Sequence, residues 1–313
     1  MGVFDRFRRG PRTGGATVLT ALATATGDAQ AHTFSYPDVD VLAYFVDTPL
    51  PHVLYCTYGL SQVESSQRIA GTQTELTLRV PDNSDALPPK WPADQLARMA
   101  RNVRRSGVDI EPGHHLSFDS GALSGFVFTG DPVLGQVDGP TGRIQFTYAV
   151  GLNGDDLERM LRWDPLKFAT LLGDLYPLGL TDPARAPLST DDKVRLLLDD
   201  TATAEGSSIG ATTAKYLEVD AAGRVDMDER AASALLRAAR YRLLFGRTFA
   251  LVREDTYLLF DPAAQRLELA NDHIVVPAGA DVANEVLAVF DVAPGSYSLT
   301  TAPLTLRVID PAT

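Results

Sequence analysis

From Val53 to Tyr58 the chain reads Val-Leu-Tyr-Cys-Thr-Tyr, apolar, β-branched or aromatic on both faces of an extended strand. A strand without a polar face must be covered on both sides, so this run predicts a central buried strand, ended by Gly59. The nearby Glu75-Leu76-Thr77-Leu78-Arg79-Val80 alternates apolar and polar, the period of a strand with one wet face. Pro81 stops it, and Asp82-Asn83-Ser84-Asp85 supply a turn. Val39–Phe45 is amphipathic and fits either a helix or a strand.

Trp91-Pro92 leads into a predicted helix over Ala93–Ser106, where Leu96, Met99, Ala100 and Val103 form one apolar stripe and Gly107 sits at the cap. Arg98, Arg101, Arg104 and Arg105 lie off that stripe, as on a solvated face. Leu116–Phe118, Gly125–Thr129 and Ile144–Val150 are further strands, and Asp155–Arg162 and Pro165–Leu172 are short helices. The paired acids Asp155-Asp156 and Asp191-Asp192 fall at helix starts, where the helix dipole favours them. Between Pro177 and Gly210 the periodicity weakens, which marks a junction between two domains. The last third carries a strand at Tyr216–Val219, a helix over Asp228–Phe245 stopped by Gly246, and a meander of Phe249–Val252, Tyr257–Phe260, Arg266–Leu269 and Ile274–Val276. Leu304–Ile309 is the closing strand.

A chain of 313 residues is long enough for two modest domains. The expected organisation is a tail over 1–33, a first domain over 34–210 and a second over 211–313. The tail combines Arg6, Arg8, Arg9 and Arg12 with a run over Ala16–Gly27 and an Ala29-Gln30-Ala31 triplet, a loose likeness to a signal peptide. Thr13, Thr17, Thr20, Thr24 and Thr26 dilute that run, so it is read as disordered. Gly2 invites myristoylation, but Arg6 stands where that signal needs Ser or Thr. No apolar run approaches the ~20 residues that span a bilayer. The formal charge is −12, and the tail is basic, so the remainder is more acidic still. Such a surface repels nucleic acid and anionic membranes and steers basic proteins inward. Cys56 is the only cysteine, which points to a reducing, cytoplasmic compartment.

Several short pieces occur in a characteristic order: Tyr58-Gly59-Leu60-Ser61, Glu75-Leu76-Thr77-Leu78-Arg79, Pro88-Pro89-Lys90-Trp91-Pro92-Ala93, Gly113-His114-His115-Leu116-Ser117-Phe118, Thr129-Gly130-Asp131-Pro132 and Glu205-Gly206-Ser207-Ser208. Together they resemble the suppressor-of-fused (Sufu) family in its bacterial, two-domain form. Arg242–Phe249 and the last strand after Tyr297 resemble the family's second domain more loosely. The resemblance implies an α+β fold, two mixed α/β-sheet domains facing an interdomain cleft, with no enzymatic activity and no cofactor. Animal members hold an extended peptide of a transcription factor there as an added strand. Their contact tyrosine and aspartate fall at Asn102 and His114 of this chain; both differ, so the animal peptide is not the expected ligand. Bacterial members are proposed to neutralise polymorphic toxins, and an acidic surface suits a basic toxin domain. An intracellular scaffold is the second protein-binding reading.

A chemical alternative is a serine hydrolase. Gly206-Ser207-Ser208-Ile209-Gly210 satisfies G-x-S-x-G, and Asp255 or Asp261 and then His273 follow in the required order. That motif needs a strand before it and a helix after it, whereas Thr and Ala residues precede it here and a strand candidate follows. The family's Glu-Gly-Ser-Ser piece explains the same residues as a structural turn. His114-His115 with Asp119 and the distant His52 raise a metal site, but adjacent histidines on a strand point to opposite faces. No metal ligand set and no catalytic residue are expected.

Overall fold

The structure is a computed structural model describing residues 15–27, 29–61, 73–83, 87–139 and 142–309. It divides into two compact units, residues 1–157 with 165–188, and residues 158–164 with 189–313. That division lies upstream of 210/211 and assigns residues 158–164, five of them helical, to the unit that follows it. Ser84 and Asp85 of the expected turn, and the arginines of the tail, lie outside the described residues.

The first unit is built on one mixed sheet. Helix α1 (Gly15–Thr26) is followed by β1 (His32–Ser35), β2 (Asp40–Val46), β3 (His52–Tyr58), β4 (Gln73–Pro81), α2 (Trp91–Ser106), β5 (His115–Ser120), β6 (Leu123–Gly130), β7 (Gln136–Gly139) and β8 (Gly142–Leu152). Helix α3 (Gly154–Arg162) starts in this unit and ends in the other, and α4 (Pro165–Leu175) returns to the first. The strand order is β1-β2-β3-β4-β8-β6-β5, with β7 paired to β8 off that path. The ambiguous stretch around Val39–Phe45 is therefore strand β2. Its register with β3 sets Ala43 opposite Tyr55 and Leu42 opposite Cys56.

Alternation along these strands makes two apolar faces. Val41, Ala43, Val53, Tyr55, Leu76, Leu78 and Val80 pack under the stripe of α2, which ends at Gly107 in a left-handed conformation (φ 69°). The opposite face, with Leu42, Tyr44, Leu54, Cys56, Ile144 and Phe146, receives Val18 and Leu22 of α1, both wholly buried. This corrects the expectation of a disordered tail over its described part. Thr20, Thr24 and Thr26 hydroxyls donate to carbonyls four residues back, so the threonines that dilute the run are absorbed into the helix.

The second unit carries α5 (Asp192–Glu205), β9 (Ala211–Thr213), β10 (Leu217–Val219), β11 (Arg224–Met227), α6 (Glu229–Tyr241), β12 (Phe249–Arg253), β13 (Thr256–Asp261), β14 (Glu268–Leu269), β15 (His273–Pro277), α7 (Ala280–Val289), β16 (Gly295–Leu299) and β17 (Leu304–Val308). The expected meander is instead a five-stranded sheet in the order β14-β15-β13-β12-β9, with β13 parallel to β15 and β12 parallel to β9. A second sheet runs β10-β11-β17-β16. Asp191 and Asp228 cap α5 and α6, each carboxylate accepting two backbone N–H bonds of the first turn. The expected helix over Asp228–Phe245 stops at Tyr241, and Leu243–Phe245 form a 3-10 turn closed by Gly246. Among the described residues no helix is long and apolar enough to cross a membrane.

If α1 is part of the folded unit, Leu22→Ala lowers unfolding free energy by about 2–5 kcal/mol in urea denaturation of the full chain. Leu19→Ala, at a position 42% exposed, changes it by no more than about 0.5 kcal/mol. Equal, negligible effects would return the segment to a tail.

Candidate functional site

The polar half of β4 does not face water. Glu75 is 0% and Arg79 1% exposed, and each finds a partner supplied by another of the ordered sequence pieces. The Glu75 carboxylate accepts from the Thr57 hydroxyl (2.5 Å), the Ser61 hydroxyl (2.6 Å) and the backbone N–H groups of Gly59, Leu60 and Ser61. It thereby shapes the turn that leaves β3. Burial pushes its pKa up, against the pull of those donors.

Four residues along, the Arg79 guanidinium meets Asp131 in a two-pronged ion pair of 2.7 and 2.9 Å. Thr77 donates to the same carboxylate at 2.6 Å, and the N–H groups of Val133 and Leu134 close the turn after β6 onto it. Arg79 lies 5.0 Å from the centroid of the Tyr148 ring on β8. Burial, the largest single influence, would raise the Asp131 pKa, but the Arg79 charge together with the hydrogen bonds from Arg79, Thr77 and Leu134 outweighs it and holds the carboxyl below its ordinary range. A third buried pair, Arg185 with Asp156 at 2.7 Å, ties the 182–188 segment to the start of α3, where Asp156 also accepts from Leu188 N–H.

The remaining pieces are structural as well. The Tyr55 hydroxyl donates to the Pro89 carbonyl, and Asp94 in the first turn of α2 accepts from Tyr36 (2.7 Å) and Lys90 (2.6 Å). Gly206 ends α5 with φ 68°, and a Cβ there would stand 2.5 Å from the Tyr241 carbonyl oxygen. Ser207 then donates its hydroxyl to the Leu161 carbonyl, and Ser208 its N–H to that of Trp163.

This turn is not a nucleophile elbow. Strand β9 follows it instead of a helix, and β9 is three strands from β15, a lateral separation of roughly 14 Å. Register makes the gap wider: Thr213 is level with Val252, Tyr257 and His273 in turn, so Ser208 lies about five residues further along, roughly 16 Å. His273 is bonded instead to Asp272 at 2.8 Å and stacks on Tyr257. The three members of the hydrolase reading do not converge.

Asn102 is exposed on α2, where its Oδ1 accepts from Arg105 at 3.4 Å. His114 is exposed ahead of β5, with Nδ1 accepting the Glu111 N–H at 3.1 Å. No hydrogen bond joins these two positions among the described residues.

A different surface emerges at β9, the edge of the five-stranded sheet. Gly210 O accepts from Ala250 and Ala214 N donates to Val252, so Gly210, Thr212 and Ala214 direct their backbone groups at β12. Ala211 and Thr213 therefore aim their N–H and C=O groups outward, and both are exposed. Ahead of this strand stand Arg242, which lies over Gly210 and whose Nη1 donates to Ser207 O at 2.9 Å, and Arg247, which donates to the same oxygen at 3.1 Å, four residues before Ala211. Arg247 packs over the partly exposed Phe245 ring at 5.5 Å. The sequence offered only a faint signal for this surface, the arginine- and leucine-rich stretch before Phe249. A three-residue strand of Ala and Thr carries no periodicity.

The protein is thus two α+β units with buried acid and arginine networks at the ordered sequence pieces and, among the described residues, an unpaired sheet edge at β9. The family model described as suppressor of fused protein (SUFU) matches residues 35–186, and the curated relatives and solved structures that resemble this chain support the same family. It is 25% identical to the suppressor of fused homologue of mouse over 225 residues, covering 65% of this chain and 46% of the mouse protein. The chain thus spans about half the length of the curated relatives it matches. The crystal structure of Drosophila Suppressor of Fused superposes with a TM-score of 0.72 at 15% identity, covering 96% of this chain and 98% of that one, and it shows the shared fold. The Sufu–Fu complex structure superposes with a TM-score of 0.53 at 20% identity, over 60% of this chain and 98% of that one.

Breaking the buried pair singly should cost far more than replacing both partners. Arg79→Met leaves Asp131 uncompensated and lowers stability by about 3–5 kcal/mol, whereas Arg79→Met with Asp131→Asn, which removes the charge and keeps an amide oxygen for the Val133 and Leu134 N–H groups, recovers part of that loss in urea denaturation. The depressed Asp131 carboxyl also makes a stabilising contribution that is complete above the unfolded-state pKa of about 3.9 and is lost as pH falls through the lower folded value. The slope of stability against pH below about 4 should therefore flatten in the double variant.

Proposed function

We propose that this protein binds another protein by accepting an extended segment as an added strand at β9, and that it performs no chemistry. The observation that carries the reading is the pair of outward-facing backbone positions, Ala211 and Thr213, on an edge strand whose approach at Gly206–Gly210 carries arginine and aromatic side chains. Main-chain groups on an open edge supply affinity without demanding a particular sequence, and neighbouring side chains supply selectivity. Arginine and aromatic residues are enriched where binding energy concentrates. The family likeness supports the same reading, as does the relative whose solved structure is a Sufu–Fu complex.

Its most concrete form is neutralisation of a toxin by a cytoplasmic immunity protein. The charge of −12 suits a basic partner, which it would draw in over distances near the Debye length. A scaffold role uses the same surface with a different partner.

Affinity capture from the native cell, with mass-spectrometric identification, supplies the partner for the decisive comparison. Thr213→Pro removes one outward N–H without touching the bonds to β12. It should weaken the purified partner's binding by about two- to tenfold, the order of one net hydrogen bond, and leave the urea midpoint nearly unchanged. Undiminished binding would refute strand addition at β9, and labelling of Ser208 by a fluorophosphonate probe would revive the enzyme.

A further inference from the structure

In this acidic chain most well-placed arginines meet a carboxylate: Arg79 meets Asp131, Arg159 meets Asp199, Arg185 meets Asp156, Arg237 meets Glu158 and Arg307 meets Asp226. Arg242 and Arg247 do not. Both guanidiniums turn onto one neutral acceptor, the Ser207 carbonyl oxygen, and Arg242 spends its Nε–H on the Thr248 carbonyl. Among the described residues neither makes an ion pair. Two like charges held at one oxygen repel, and the Arg242 pKa is lowered by burial and by the neighbouring Arg247. The pair is therefore an electrostatic debt that a bound anion would settle. Each guanidinium keeps N–H donors beyond those used here.

Its position says which anion. A Cβ on Gly210 would lie 3.0 Å from Arg242 Nη2, so the guanidinium stands over the sheet face at the start of β9, one residue before Ala211 and within side-chain reach of a strand added there. A polyanion would meet the repulsion of the whole acidic chain. A single acid embedded in an otherwise neutral or basic segment would not.

Resting on strand addition at β9, we propose that Arg242 and Arg247 form a receptor for one carboxylate, an Asp or Glu side chain of the incoming strand, and so set both its register and its sequence preference. The acidic surface attracts the partner at long range, and the arginine pair selects an acidic residue at contact.

A random dodecapeptide display library panned on the intact chain tests this. Enriched peptides should carry Asp or Glu at one fixed position. A synthetic peptide of the winning sequence should lose at least about tenfold in affinity when that acid becomes the amide, as expected for a charge-assisted bond. Arg242→Gln with Arg247→Gln should bind the acid and amide peptides equally. Because Arg242 also bonds backbone, Arg247→Gln alone is the second variant, and it should shrink the discrimination with the urea midpoint unchanged. Enriched peptides without an acidic preference, or discrimination that survives the double variant, would overturn the carboxylate receptor and leave strand addition standing. The absence of any enriched peptide would overturn both.

Discussion

The first unit depends on an arginine and an aspartate buried together at 1% and 0% side-chain exposure. Taking two charges out of water costs several kcal/mol per ion, and a well-made pair roughly recovers it. The pair therefore contributes more to specificity than to net stability. Arg79 comes from β4, Asp131 from the turn after β6, and β8, parallel to β4, lies between them in the sheet. Any other neighbour for β4 would leave a buried charge unanswered. Glu75 acts four residues earlier on the same strand and fixes the exit from β3. Two charged residues on one strand thus specify the order at the centre of the sheet.

The sequence pieces that mark the family are in this light the parts of a framework. Tyr58–Ser61, Glu75–Arg79 and Thr129–Pro132 come together through the bonds of Glu75, Thr77 and Arg79, and Glu205–Ser208 is the end of a helix. A framework so constructed leaves recognition to surfaces it does not prescribe. The edge of β9 and the arginines ahead of it are the surface proposed for that role, and their chemistry can differ between relatives without disturbing the core. That separation is consistent with Asn102 and His114, which replace the expected contact residues and whose side chains, among the described residues, bond only within their own turns.

Most elements were legible in the sequence because local pattern suffices for them. The stripe of α2, the alternating closing strand and the buried run of β3 need no knowledge of their neighbours. The exceptions share a cause. Glu75, Thr77 and Arg79 read as a wet face because alternation reports polarity, and polarity reports water only when no partner is buried with it. Helix α1 was obscured by its threonines, whose hydroxyls bond back to the helix, and α5 by a Thr- and Ala-rich second half. Pairing order was invisible as well: β12, β13, β14 and β15 read as a meander, and the parallel contact of β13 with β15 is a long-range fact. At the site, G-x-S-x-G was legible and misleading, and the edge of β9 was illegible because openness belongs to the sheet.

The central claim is that this protein works by extending its own sheet with a partner's backbone. Hydrogen–deuterium exchange of the chain, alone and with its captured partner, reads that directly. Protection gained at the amides of Ala211 and Thr213, with β12 unchanged, is the predicted result. A partner that binds while those two amides exchange at their unbound rate would contradict it.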